Sequence, residues 1–340
     1  MKTGPDRHST MDNSSPKISV ILPTYNRPIQ LKGALQSLLT QSYQNIEVVV
    51  INDGHEDVRE IVRTSGLKES KRTVLYLDGH SDTGPSAARN RGLQAATGEV
   101  IAYLDDDDVF HPEHISLHMK QYASPDIHVV YSDAMRCRMT KNDLGKIETT
   151  HDLIHSEDFD PDKLLVINYI PMICISHRRE CIDQSGMFDE SLYFLEDWDL
   201  FIRLSETYEF IHVPEVTATY FELTTGKSVQ DLNKNKFAEN LFTIYQKNAP
   251  ALEKDSQRNE RVWKMRNARL GQIIFDTGSF HEKQGNDSEA LSNYSSAAEI
   301  NPTATFFLAM ARIQKKMGLK KEALISMHSA QFCQEQSAKD

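Results

Sequence analysis

Four short apolar runs punctuate the first hundred residues, and a polar cluster stops each one. Residues 17–23 (KISVILP), 46–51 (IEVVVI), 74–77 and 100–104 are rich in Val, Ile and Leu, and their length and composition predict buried strands. The segments between them carry apolar positions at helical spacing. Leu31, Leu35, Leu38 and Leu39 mark one helix, and residues 56–64 and 85–96 predict two more. Strand alternating with helix is the pattern of an α/β fold, an open and mostly parallel sheet covered on both faces. Shorter elements follow, with strands predicted at 129–132 and 172–176 and a helix at 197–206.

From about residue 230 the pattern becomes helical throughout. Ala290, Tyr294 and Ala297 share a spacing with Ala323, Met327 and Ala330, 33 positions later. This approaches the period of tetratricopeptide repeats; a plain helical hairpin with an alanine-rich seam has the same spacing. Leu291, Tyr294, Ala298, Leu308, Leu324 and Met327 are the expected seam. The expected organisation is a disordered tail at 1–16, an α/β unit at 17–228 and a helical region at 229–340. Polarity marks 151–163 and 224–231 as candidate mobile loops.

Charge narrows the function classes. The 340-residue chain carries a formal net charge of -11, and with no basic stripe it is a poor nucleic-acid binder. Its four cysteines, Cys137, Cys174, Cys181 and Cys333, form no C-x-x-C pair, which predicts free thiols rather than a zinc site or a disulfide framework. The polar N-terminal residues do not read as a signal peptide, and no apolar run is long enough to span a bilayer. A cytoplasmic protein, with possible peripheral attachment at the inner face of a membrane, is the expectation.

The chemistry lies where strands end. In an open parallel sheet, ligands bind beyond the carboxyl ends of the strands. Residues 23–27 (PTYNR), 52–54 (NDG) and the four aspartates Asp105, Asp106, Asp107 and Asp108 each follow a strand, so they should gather at one edge. Consecutive acids repel, and a hard divalent cation (Mg or Mn), shared with phosphate oxygens, would offset that repulsion; a solvated acidic turn or a calcium site is the alternative. Asp53 suits either a nucleoside contact or simple turn chemistry. Glu196 and Asp197 precede an amphipathic helix, where an acid can be an N-cap or, beside a metal–diphosphate site, a general base.

Taken in order, residues 21–27 (ILPTYNR), 52–54 (NDG), 84–92 (GPSAARNRG), 98–99 with 104–108 (GE, LDDDD), 186–189 (GMFD) and 196–199 (EDWD) resemble the family 2 glycosyltransferases of the GT-A fold. The resemblance runs from about Lys17 to Tyr220. It implies that Pro23, Thr24 and Tyr25 contact the nucleotide and that Asp53 recognises the base, usually uracil. Asp105 and Asp107 match the D-x-D signature, near the ribose and metal and as principal metal ligand respectively, with Asp106 between them on the donor. Asp197 matches the catalytic base, with Glu196 beside it. The implied reaction is a single inverting displacement from a nucleotide-sugar onto a glycan, lipid-linked or protein acceptor.

Two positions depart from the pattern. Asn52 replaces the first acid of the D-D-G pair, and residues 220–223 (YFEL) replace Y-R-x-H, so the histidine near the diphosphate is missing. Competing readings are a sugar-phosphate nucleotidyltransferase, which would need a glycine-rich first loop that residues 23–27 lack, and an inactive scaffold that binds partners or itself through the helices.

Overall fold

The computed structural model describes residues 15–79, 82–141, 147–224, 234–249, 252 and 255–337. Four parallel strands, β1 (Ile18–Thr24), β2 (Ile46–Asn52), β3 (Thr73–Asp78) and β4 (Val100–Tyr103), form one side of a nine-stranded sheet. The rest comprises β5 (Val109–Phe110), β6 (Val129–Lys141), β7 (Ile147–His155), β8 (Ile175–Arg178) and β9 (Phe210–Thr224). The order is β3-β2-β1-β4-β8-β6-β9-β5, with β7 paired to β6.

Alternate residues of the central strands feed two separate cores. Ile21, Val49, Ile51, Ile101 and Tyr103 face α3 (Pro85–Ala95) and α7 (Glu196–Ser205); Val20, Leu22, Val48, Val50 and Ala102 face α1 (Pro28–Leu39) and α4 (His114–Gln121). A sheet covered on both faces needs apolar residues at both parities, which is why these strands read as continuous runs. Gly92 lets α3 lie close, since a Cβ there would come within 2.7 Å of Ile21 and Ile51 side-chain carbons. Short helices α2 (Arg59–Arg63), α5 (Pro161–Leu164) and α6 (Glu180–Ser185) complete this part.

Five further helices follow: α8 (Lys234–Lys247), α9 (Ser256–Lys283), α10 (Asp287–Ile300), α11 (Ala304–Lys316) and α12 (Lys320–Ser337). The first two share the core under α7. Leu241, Ile244, Tyr245, Val262 and Leu270 are buried with Trp198, whose ring meets Tyr245 edge-on at 5.8 Å. From α9 onward each helix packs on the next.

Several expectations need correction. Residues 172–174 form a 3-10 turn rather than a strand, because Pro171 opens the segment and its carbonyl accepts the Cys174 amide at 2.9 Å; the strand is β8. Of the candidate mobile loop at 151–163, residues 151–155 lie in β7 and 161–163 in α5, which leaves 156–160 as loop. β7 is polar because it belongs to a solvated arm, and Asp160 caps α5 by accepting from the Asp162 and Lys163 amides. Leu308, Leu324 and Met327 are exposed rather than in the seam, which is built from Ala290, Tyr294, Ala309 and Ile313. The tail at 1–14 and most of 224–231 lie outside the described residues; Ser15 and Pro16 are held through their carbonyls by Asn45 and Tyr43. All four cysteines are free thiols, and Cys137, Cys174 and Cys181 are buried. Among the described residues no helix is long and apolar enough to cross a membrane.

Candidate active site

The parallel register sets Thr24 beside Asn52, and the Asp53 amide continues the ladder by donating to the Thr24 carbonyl at 2.9 Å. Leu104 closes β4 in the same way on the Ile21 carbonyl. Three strand ends therefore open onto one cleft of about 1080 Å³, which Pro23, Thr24, Tyr25, Asp53, Asp105, Asp106, Asp107, Glu196 and Asp197 all help to line. These nine sequence candidates are thus brought to one site, while Asp108 does not line it.

Asp53 anchors the loop that leads into α3. Its carboxylate accepts from the Thr83 amide (2.9 Å), the Thr83 hydroxyl (2.9 Å), the Gly84 amide (3.0 Å) and Arg91 (2.8 Å). Four donors fill the usual acceptor capacity of a carboxylate. Tyr25 is exposed, and its hydroxyl pairs with Asp82, whose charge raises the phenol's pKa.

The four aspartates separate into two kinds. Asp106 is buried and accepts from the Thr24 hydroxyl at 2.7 Å and Arg27 at 3.2 Å; Asp108 is buried and accepts from the Phe221 amide at 3.0 Å. Asp105 and Asp107 keep 35% and 33% side-chain exposure. Burial raises the pKa of Asp106, Asp107 and Asp108, opposed at the first two by Arg27 and increased by neighbouring aspartates. The four residues form a turn after β4, closed by the Asp108 amide donating to the Asp105 carbonyl at 3.2 Å, and the turn sets Asp106 against Thr24 and Asp108 against Phe221.

Arg89, from α3, links the two halves of the cleft. Its side chain is 6% exposed and donates to Asp105 Oδ1 at 2.7 Å and to Glu196 Oε1 at 2.8 Å. Burial opposes its charge, but these two carboxylates more than offset that and hold it protonated. Asp197 accepts from the Asn168 side chain at 2.9 Å and from the Trp198 amide at 2.7 Å. Its pKa is pushed up to about 7, by burial first and by the Glu196 charge second. Leu195, two residues before it at the N-cap of α7, has φ 67, a left-handed conformation that is rare for a branched side chain and concentrates at functional sites. Asn90 fixes the approach to α7 by accepting from the Phe188 amide and donating to the Phe188 carbonyl and Glu190.

Oxygen donors are the only ligating atoms in the aspartate cluster. Arg89 and Arg27 each use one oxygen, of Asp105 and Asp107 respectively, so each carboxylate has a second oxygen outside those contacts. Among the described residues no group of three ligating side chains occurs. That donor set fits a Mg- or Mn-type ion bound by one or two carboxylates and completed by water and phosphate oxygens.

Residues 19–180 match the family model described as glycosyl transferase family 2. An uncharacterized glycosyltransferase of Haemophilus influenzae is 30% identical over 231 residues, covering 68% of this chain and 88% of its own. The chain belongs to the family 2 glycosyltransferases. Among solved structures, S. aureus TarS 1-349 in complex with UDP-GlcNAc shares the fold with a TM-score of 0.57 at 16% identity, over 95% of this chain and 92% of that one. The mannosyltransferase PcManGT from Pyrobaculum calidifontis, in complex with GDP-Man and Mn2+, gives 0.55 at 16%, over 94% and 87%. The chain is thus a glycosyltransferase with a GT-A sheet followed by helices.

Sequence reasoning singled out neither Arg89, Asn168 nor Arg269 as a site residue of this family 2 enzyme. Arg89 stood inside the quoted 84–92 stretch, and that was its only signal. Asn168 precedes α7 by 28 residues and Arg269 lies in a helical region, and neither carries a local pattern.

Proposed function

We propose that this glycosyltransferase takes a UDP-sugar and transfers the sugar, with inversion, to an acceptor hydroxyl. The observation that carries this reading is Asp197: a part-buried carboxylate with a pKa of about 7, in one cleft with the strand-end aspartates and tied to them through Glu196, Arg89 and Asp105. The UDP-GlcNAc bound by TarS supports the choice of donor, and the Mn2+ of PcManGT supports a divalent metal.

In this mechanism Pro23, Thr24 and Tyr25 border the nucleotide, while Asp53 holds the 83–84 loop against it. Asp105 and Asp107 would hold the metal, with Asp106 fixing their backbone through Thr24 and Arg27. When bound, the metal supplies positive charge that stabilises the leaving diphosphate. Asp197 accepts the proton of the acceptor hydroxyl, a role suited to a pKa near the working pH. The acceptor oxygen then bonds to the anomeric carbon as the bond to the diphosphate breaks on the opposite face. Asn168 and the Trp198 amide keep Asp197 oriented.

Asp197→Asn tests the reading. It should lower turnover by about 10²–10⁴-fold while UDP affinity, read by calorimetry, changes little. Normal turnover would make Asp197 a helix-start residue and place the base elsewhere. The anomeric configuration of the product, followed by proton NMR, tests inversion separately.

A further inference from the structure

α9 turns two arginines toward the body of the enzyme, and they differ in what they meet. Arg266 is fully buried, donates to the Leu165 carbonyl at 2.8 Å and the Tyr245 carbonyl at 3.1 Å, and stacks on Tyr245 and Trp263. Its Nη2 is buried without a hydrogen-bond partner, while Nε and Nη1 tether α9 to the two carbonyls. Arg269, three positions on, lines the catalytic cleft. Its Nε is buried without a hydrogen-bond partner, and among the described residues no carboxylate pairs with it. A ring contact places its guanidinium 6.0 Å from the centroid of Trp198, the residue after Asp197. Burial lowers its pKa. In a chain of net charge -11, an arginine left without an acid in a cleft wall calls for an anion, because a part-buried guanidinium without one is costly.

In the mechanism proposed above, the charge of the donor's diphosphate would be met by the metal that Asp105 and Asp107 would hold. Arg269 stands beside Trp198, and Tyr193, Phe194 and Phe237 line the same cleft. Tyr193 and Phe194 meet at 4.7 Å, and Phe194 and Phe237 at 6.4 Å. Aromatic faces suit the C–H faces of a sugar or polyol, and guanidinium suits a phosphate, which it can bind by two parallel hydrogen bonds.

We infer that Arg269 and this aromatic wall form an acceptor subsite, and that the acceptor is a phosphorylated sugar or polyol whose phosphate is received by Arg269. The inference rests on the reading of Asp197 as the base, which sets the acceptor on that side of the cleft. It also gives α9 a part in substrate choice.

The test uses the full chain with manganese and saturating UDP, titrated with glycerol phosphate and, separately, with glycerol in a calorimeter. Glycerol phosphate should bind saturably and glycerol should not. Arg269→Ala should weaken glycerol phosphate by about tenfold or more, Arg269→Lys by less, since lysine keeps the charge without the planar fork, and UDP affinity should stay within about twofold in both. Retained UDP binding also shows that the variants fold; if the alanine variant does not, the lysine variant carries the comparison. Absence of saturable glycerol phosphate binding in the native chain overturns the inference. So does unchanged binding in the variants, or a loss of UDP affinity with glycerol phosphate unaffected, which would make Arg269 a diphosphate ligand. If UDP itself fails to bind the native chain, the donor reading fails on its own, and the glycerol phosphate titrations repeated without nucleotide still decide the role of Arg269.

Discussion

Asp197 owes its proton affinity to burial and to Glu196, while Arg89 acts in the opposite direction. Those three influences give a signed prediction. A base must be deprotonated, so kcat/KM should rise with pH through about 7. Glu196→Gln removes the neighbouring negative charge and should move this acid limb down by about one pH unit. Arg89→Met removes the positive charge and should move it up; it should also lower stability by about 2–4 kcal/mol, because two carboxylates lose their buried partner. A pH–rate profile and a urea titration of each variant check both. If both variants shift the limb in the same direction, the assignment to Asp197 fails. The same carboxylate has a stability consequence. Its folded pKa lies above the unfolded value, so between about pH 4 and 7 the folded state binds the extra proton, and this contribution is lost as pH rises through 7. Asp107 belongs to this scale too. Asp107→Ala, or a chelator added to the native chain, should abolish metal-dependent UDP binding, and full turnover in excess chelator would exclude the metal reading.

At the scale of elements, the start of α3 shows one carboxylate holding a loop and a helix together. Asp53 receives the Thr83 and Gly84 amides just before the first turn of α3, where orphan N–H groups and the helix dipole favour negative charge. Asp53→Asn should therefore cost about 1–3 kcal/mol of stability without any nucleotide present, measured by chemical denaturation. A residue that served the base alone would leave the nucleotide-free stability unchanged, so the measurement separates anchoring from recognition. The aspartate run illustrates the same dependence on elements. Four identical side chains in succession have different surroundings because the turn that follows β4 buries Asp106 against Thr24 and Asp108 against Phe221 and leaves Asp105 and Asp107 partly exposed.

For the whole molecule, the packing under Trp198 decides where the chain can be cut. α8 and α9 contribute Leu241, Ile244, Tyr245, Val262 and Leu270 to the core beneath α7, and each buried side chain is worth about 1.5–3 kcal/mol. Their sum is comparable with the roughly 5–15 kcal/mol that holds a domain folded. A chain ended at residue 233 should therefore fail to fold stably. One ended at residue 284, after α9, should keep UDP binding and a cooperative thermal transition, since α10, α11 and α12 pack mainly on one another and on α9. Calorimetry of the two chains tests this, and a stable, UDP-binding chain ended at 233 would contradict it.

Much of the α/β half is legible in the sequence for a physical reason: a strand buried on both faces must be apolar at every position, and a polar cluster that ends it must emerge at the sheet's edge. That local logic alone brings Thr24, Asp53 and Asp105 to one edge, and the ordered set of motifs adds Asp197 to them. It cannot place Met172–Cys174, where a proline sets the backbone, or β7, whose solvated faces carry no apolar signature. Nor can it separate Leu324 and Met327 from the seam, because helical spacing names a stripe without saying what covers it. The sequence by itself determined the class of sheet, its chemical edge and the family. Only the tertiary structure decided which aspartates face the cleft, that Arg89 joins Asp105 to Glu196, and that α9 brings Arg269 beside Trp198. The two Arg89 contacts join residues 16 and 107 positions apart, and no local pattern of polarity encodes a pairing over such distances.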